Sequence, residues 1–325
     1  MKDDFVENRS QDNWLSVQGW RDTVARQART LTGARTRRTE PVDYRDRISV
    51  ATWPVILGLA LSLFVRLPTL EFSFVAFGSP ATIPLTGTVA VAFALAVLAA
   101  SGAESVVSAH PSLATVSLRK RGRTLPYWAL PMGLTIIITM LLTRLPTPLI
   151  QVLALLLSSG LFILAFFSLY MTVEPGQQGF RRSRLVLNLL TYAAAVVLFL
   201  FVYQTRARSL VSATLVAVTA MLLAVELLRS STQSTATVLN YGAAVGLILG
   251  QVTWALNYWP LPNLTAGLLL LLIFYILVSF AQSGLQGRLT ARVVWEFVVV
   301  AVAALILLGI FGPGFTVIGK LPPVQ

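Results

Sequence analysis

The residues of this chain whose types could do chemistry are its acids and one histidine, and they are unevenly placed. All six aspartates lie within the first 46 residues: Asp3, Asp4, Asp12, Asp22, Asp43 and Asp46. The apolar remainder holds five glutamates and one histidine: Glu71, Glu104, Glu174, Glu226, Glu296 and His110. Enzymes that hold Mg²⁺ with paired aspartates inside a membrane are therefore excluded, because a hard cation needs clustered oxygen ligands.

The absence of cysteine and the single histidine exclude several further site types. Without cysteine there are no disulfides, no thiolate metal sites and no iron–sulfur clusters. With one histidine, neither a two-histidine haem nor a two-histidine zinc motif can form within the chain. The sequence therefore predicts no metal and no cofactor.

One acid and several arginines suggest chemistry on a lipid phosphate. Glu71 follows Arg66 closely, and Arg144, Arg206 and Arg208 stand between later apolar segments. A carboxylate can act as general base toward a hydroxyl, and guanidinium groups bind phosphate bidentately. By analogy of topology, this is consistent with a polyprenyl-phosphate-dependent glycosyltransferase using Glu71. A carrier or flippase for an anionic amphiphilic lipid would use the arginines alone. Arginines that merely reach to the membrane interface explain the same pattern.

Two acid–base pairs have helical spacing. Glu226 precedes Arg229 by three residues, and Arg292 precedes Glu296 by four. Both spacings place the partners on one face of a helix. We interpret them as structural ion pairs at the membrane interface; a proton or ion relay is the alternative, because intramembrane acids are often functional.

Amides and aromatics concentrate in one apolar segment. Asn240, Gln251, Trp254 and Asn257 could line a ligand cleft, but amides that join helices by hydrogen bonds and aromatics at a span end are the favoured explanation. Three glycines four residues apart, Gly242, Gly246 and Gly250, predict a close helix–helix contact.

The composition indicates which elements must position these residues. Of the 325 residues 56% are hydrophobic and 12% are charged, against about 45–50% and about 25% in soluble domains. The chain is therefore predicted to be a polytopic membrane protein of the all-α class. We attribute its net charge of +12 to membrane topology and anionic lipid, and we expect no nucleic-acid partner.

Nine apolar runs have the length of membrane spans, which need about 20 residues. They are 50–68, 84–103, 127–144, 148–172, 185–203, 209–228, 236–256, 263–282 and 291–311. With the N-terminus in the cytoplasm, 20 of the 25 basic residues lie inside and five outside. This asymmetry favours an N-inside, C-outside protein of the cell membrane.

The segments outside the spans are a charged arm and a short tail. Residues 1–49 hold ten basic and eight acidic residues. Six apolar residues in this arm recur at three- and four-residue steps: Trp14, Val17, Trp20, Val24, Ala28 and Leu31. The spacing favours an amphipathic helix on anionic lipid head groups of the cytoplasmic leaflet. A partly disordered tail is the alternative, and residues 312–325 form an extracytoplasmic tail.

A four-residue motif, Arg-Leu-Pro-Thr, occurs at residues 66–69 and again at 144–147. Both copies follow odd-numbered spans, which is consistent with a duplicated helical hairpin such as transporters contain. Proline at helix ends provides a simpler explanation.

Two stretches carry a family resemblance. Residues 203–230 and 250–275 resemble a group of uncharacterised bacterial multi-span proteins that carry a domain of unknown function. The resemblance implies a membrane helical bundle and no particular activity. The features together favour a non-enzymatic scaffold or accessory subunit with a membrane-protein partner, over the carrier and the glycosyltransferase.

Overall fold

The computed structural model describes residues 44–64, 70–76, 79–85, 87–110, 124–174, 176, 179–205, 210–232, 234–256 and 263–311. Within these ranges the chain forms nine helices and one two-stranded sheet. The helices are α1 (Tyr44–Ser62), α2 (Gly87–Val107), α3 (Leu125–Leu142), α4 (Pro148–Met171), α5 (Phe180–Thr205), α6 (Leu210–Leu228), α7 (Thr235–Leu256), α8 (Asn263–Leu285) and α9 (Ala291–Phe311). The strands are β1 (Leu70–Ala76) and β2 (Ser79–Leu85). The predictions for residues 1–43 and 312–325 lie outside the described residues.

Each predicted apolar run overlaps one helix, so the helical bundle is confirmed. Six helices are long and apolar enough in their described parts to cross a membrane, namely α2, α3, α4, α5, α7 and α8. The described apolar part of α6, Ala213–Leu228, is shorter. The chain therefore has the character of a membrane protein, because a backbone in lipid must satisfy its hydrogen bonds within helices.

Several predicted boundaries were wrong. Helix α1 spans Tyr44–Ser62 rather than 50–68, and α5 begins at Phe180 rather than 185. Both helices therefore start with a charged turn, which a hydropathy pattern does not distinguish from a loop. The second span was placed from residue 84, but Pro84 and Leu85 belong to β2.

A β-hairpin occupies the segment that the sequence assigned to a loop after the first span. Strands β1 and β2 are antiparallel, and Leu70 pairs with Leu85 at one end and Ala76 with Ser79 at the other. The hairpin adds a small sheet to the predicted all-α fold. The two Arg-Leu-Pro-Thr motifs therefore precede different elements: the first is followed by β1 and the second by α4. Thr147 of that second motif caps α4 by accepting a hydrogen bond from the Ile150 amide at 3.4 Å.

The core is apolar and extends from α1 to α8. Its largest fully buried side chains include Phe162 and Phe166 of α4, Phe199 of α5 and Phe274 of α8. The rings of Phe199 and Phe274 meet edge to face with centroids 5.9 Å apart. Helix α9 is peripheral: it packs on α8, where Phe280 and Phe297 have centroids 6.0 Å apart.

The most extensive helix contact joins α6 and α7, and glycine makes it possible. A Cβ on Gly242 would lie 2.5 Å from Val225 Cγ2, and one on Gly246 would lie 2.7 Å from Met221 Cβ. A Cβ on Gly250 would lie 2.9 Å from that of Ala217. The predicted close contact along these glycines is therefore confirmed, and it fixes which side of α7 faces the bundle.

Hydroxyl groups inside the bundle bond to their own helices. Seven Thr or Ser side chains donate to the carbonyl four residues earlier at 2.6–2.7 Å: Thr52, Thr135, Thr139, Ser158, Thr191, Thr219 and Thr253. Such bonds satisfy a buried hydroxyl without another helix or a ligand. These seven hydroxyl groups therefore form their hydrogen bonds within single helices.

Candidate functional site

A charged group lies in the interior at one end of the bundle, centred on Glu226 of α6. Its side chain is fully buried, although a carboxylate is very rarely buried without partners. Arg229 Nε donates to Glu226 Oε1 at 2.8 Å, and Arg184 Nη1 donates to the same oxygen at 3.1 Å. Glu226 is therefore paired with two guanidinium groups, one on its own helix and one on α5.

Arg184 also closes the carboxyl end of α6. The last carbonyls of a helix have no partner within it. Nη2 of Arg184 donates to the carbonyls of Glu226 and Leu227, each at 2.9 Å. Gln282 of α8 donates to the Leu227 carbonyl at 3.2 Å. These donors also offset the unfavourable position of an acid at the negative end of a helix dipole.

Arg229 joins two further helices. Its Nη2 donates to the Thr172 hydroxyl, at the end of α4, at 2.8 Å. Its guanidinium carbon lies 4.4 Å from the centre of the Tyr127 ring, at the start of α3. This distance suits a cation–π contact. We call the set Tyr127, Thr172, Arg184, Glu226, Arg229 and Gln282 the Glu226 node.

The node is a joint between helix ends. It connects the carboxyl ends of α4, α6 and α8 with the amino ends of α3 and α5. Glu104, near the end of α2, belongs to the same layer, because its carboxylate accepts from Trp128 Nε1 of α3 at 2.9 Å. His110 follows α2, is buried, and lies 5.0 Å from the Tyr170 ring of α4. Helices α2, α4, α6 and α8 thus end, and α3 and α5 begin, at this side of the bundle.

The node carries one formal positive charge, since two arginines face one carboxylate. Glu226 Oε2 is buried and has no hydrogen-bond partner among the described residues, and Asn188 Oδ1, one turn beyond Arg184, is in the same condition. Breaking a buried ion pair by removing one partner costs about 3–5 kcal/mol. The arrangement can therefore hold helix ends together strongly. A proton relay would require acids at several depths, whereas Glu226 and Glu104 lie at one end.

The second predicted pair, Arg292 and Glu296, is of a different kind. Their side chains are 89% and 64% exposed, and Arg292 Nε lies 3.4 Å from Glu296 Oε1. An exposed pair of this type is worth at most about 1 kcal/mol. The pair lies in the first turns of α9, and within the described ranges it is bonded to no other helix.

The structure describes four of the predicted ligand residues, and none of the four belongs to the Glu226 node. Arg144 is exposed in the turn after α3, and Asn240, Gln251 and Trp254 are exposed on α7. Glu71 lies in β1, where its backbone pairs with Pro84. Arg66, Arg206, Arg208 and Asn257 lie outside the described residues. Within the described ranges, no three His, Asp or Glu side chains are grouped so as to hold a metal ion.

Sequence reasoning found Glu226 and Arg229 together but missed their partners on other helices. Arg184 fell just outside the predicted span 185–203, because the start of α5 was placed too late. The signal that was available is Glu226 itself, since an acid within an apolar helix needs more than one donor. No spacing rule links it to Thr172, Tyr127 or Gln282.

Comparison with known families gives one match. A family model described as "Protein of unknown function (DUF5656)" matches residues 67–311. The chain belongs to this family. The matched region begins just before β1, ends with α9 and includes the Glu226 node. It also contains both stretches on which the expected resemblance rested, so membership in a family of unknown function is confirmed. No curated protein and no solved structure compared with the chain matches it.

Proposed function

We propose that this DUF5656 protein is a non-enzymatic integral membrane protein that serves as a scaffold or accessory subunit of a membrane complex. The observation that carries the proposal is how the polar groups inside the bundle are bonded. Seven hydroxyls bond within their own helices, and Glu226, the one fully buried acid among the described residues, is engaged by two arginines. These interior groups are therefore committed to structure rather than offered to a substrate.

The proposed topology is nine spans with the N-terminus in the cytoplasm of a bacterial cell. Six helices are long and apolar enough to span, and α1, α6 and α9 complete the set. The alternation of helix ends at the Glu226 node supports an up-and-down order for α2–α6 and α8. The 20-to-5 distribution of basic residues supports the orientation. The node would then lie at the cytoplasmic face.

The topology can be tested by labelling, because the chain contains no native cysteine. Arg144→Cys and Arg182→Cys form a matched pair, since both residues are exposed arginines in the described structure. A membrane-impermeant maleimide applied to intact cells should label the first and not the second. Labelling of both, or of the second alone, contradicts the proposed orientation.

The charged arm is proposed to bind anionic lipid head groups. Its basic residues and amphipathic spacing support this role. The full chain should be compared with a variant that lacks residues 1–43 and therefore starts at α1. Both should be reconstituted into liposomes with and without anionic lipid. In the full chain, anionic lipid should protect positions next to the arm from a membrane-impermeant maleimide. Removal of the arm should abolish this protection. Unchanged protection would contradict the role.

The scaffold proposal is tested against the carrier and the glycosyltransferase in one experiment. The protein is reconstituted into vesicles containing a fluorescent anionic lipid, and exposure of the lipid to an external quencher is followed with time. The rate should equal that of protein-free vesicles. An accelerated rate that falls in Arg144→Ala/Arg206→Ala would favour the carrier. Glycosyl transfer to a supplied acceptor that is lost in Glu71→Gln would favour the enzyme.

A further inference from the structure

One side of α7 is turned away from the bundle and is unusually polar for a membrane span. The buried side carries Gly242, Gly246 and Gly250 against α6. Ten residues of α7 are exposed, and eight of them lie around one line along the helix, flanked by Tyr241 and Ile248: Ala236, Asn240, Ala243, Ala244, Leu247, Gln251, Trp254 and Ala255. We call these eight residues the outer face of α7. Four of them are alanines, and two are amides.

The two amides lie on one line. Asn240 and Gln251 are eleven residues apart, which separates them by about 16 Å along the helix and about 20° around it. Each lies five residues from an end of the 22-residue helix, and therefore within the apolar layer if α7 spans. No hydrogen bond joins either amide side chain to another residue of the described chain. Lipid tails offer an amide neither a donor nor an acceptor.

We propose that the outer face of α7 is a dimer interface that packs against the same face of a second copy of this chain. A two-fold axis along the membrane normal keeps both copies in the same orientation and places each residue opposite itself at the same depth. An amide both donates and accepts, so Asn240 pairs with its own copy, and so does Gln251. This self-complementarity at two depths selects a second copy over an unrelated helix.

The rest of the face fits close parallel packing. Asn240, Leu247 and Trp254 recur every seven residues, and Ala244 and Gln251 form the neighbouring line. This is the repeat of two helices in a left-handed pair. Alanines at the remaining positions let two backbones approach. The proposal rests on α7 crossing the membrane, and it names the first partner of the proposed scaffold.

Cysteine crosslinking of the full chain in native membranes tests this interface. Single cysteines at Ala243 and Ala244 are compared with Leu153→Cys, an exposed position on α4. Copper–phenanthroline oxidation should give at least ten times more disulfide-linked dimer at the better α7 position than at the control. Adding Asn240→Leu and Gln251→Leu should lower that yield at least threefold, and Asn240→Gln should preserve it. A yield no greater than the control overturns the proposal, even if the amide variants fail to fold.

The same variants distinguish a failure of the dimer proposal from a failure of the proposed topology. Ala244→Cys should resist a membrane-impermeant maleimide from both sides of the membrane. Labelling there would mean that α7 is not embedded, which contradicts the proposed topology as well. Protection without crosslinking would leave the nine-span topology intact and overturn the dimer alone.

Discussion

Replacing Arg184 by methionine should destabilise the bundle because Arg184 links α5 to the carboxyl end of α6. Methionine retains an apolar stem but removes one ion pair to Glu226 and two hydrogen bonds to carbonyls. Loss of one partner of a buried ion pair costs about 3–5 kcal/mol. Since Arg229 remains at 2.8 Å from Glu226, we expect about 3 kcal/mol, or roughly a 100-fold fall in the ratio of folded to unfolded protein.

A companion variant increases the excess positive charge of the node. Glu226→Leu leaves the guanidinium groups of Arg184 and Arg229 buried together without a counter-ion, so its cost should reach the upper end, about 5 kcal/mol. The double variant Arg184→Met/Glu226→Leu removes both members of one pair. Its cost should be less than the sum of the two single costs, because Arg184 has no carboxylate left to bind once Glu226 is leucine, and its removal then relieves the repulsion between two like charges.

The assay is reversible unfolding in mixed micelles of a mild detergent and dodecyl sulfate, followed by circular dichroism. The matched control is Arg292→Met, which removes an arginine from an exposed pair and should cost less than about 1 kcal/mol. The reasoning is refuted if Arg184→Met and Arg292→Met have the same free energy of unfolding. It is also refuted if the effects of Arg184→Met and Glu226→Leu are simply additive.

Three further outcomes follow from the packing. Gly246→Ala should cost about 1–3 kcal/mol of unfolding free energy by forcing α7 away from α6. The control Gly160→Ala, whose Cβ would meet nothing within 4 Å, should be neutral or stabilising by about 0.5–1 kcal/mol in the same unfolding assay. Thr172→Val should cost about 1 kcal/mol by removing an acceptor from a buried guanidinium; an unchanged unfolding midpoint would contradict the contact. Ser183→Cys should label more slowly with maleimide than Arg182→Cys, because Ser183 is 7% exposed; equal rates would contradict the described start of α5.

Much of this fold follows from the sequence because lipid leaves the backbone few options. A long apolar run in a membrane protein must form a helix to satisfy its hydrogen bonds. This is why each predicted run overlaps a helix. The errors occur where that constraint ends: the hairpin at 70–85 and the charged first turns of α1 and α5. In those places, local polarity is compatible with several structures.

The candidate site was predictable only along single helices. Spacing placed Glu226 beside Arg229 and placed Gln251 and Trp254 on one face, and both pairs share a face in the structure. Spacing does not show which face turns inward. In a soluble protein apolar residues mark the inner face, but in a membrane protein the lipid-exposed face is apolar as well. The amides of α7 were therefore equally compatible with a cleft and with an outer surface. Only the packing of Gly246 on α6 shows that they face outward.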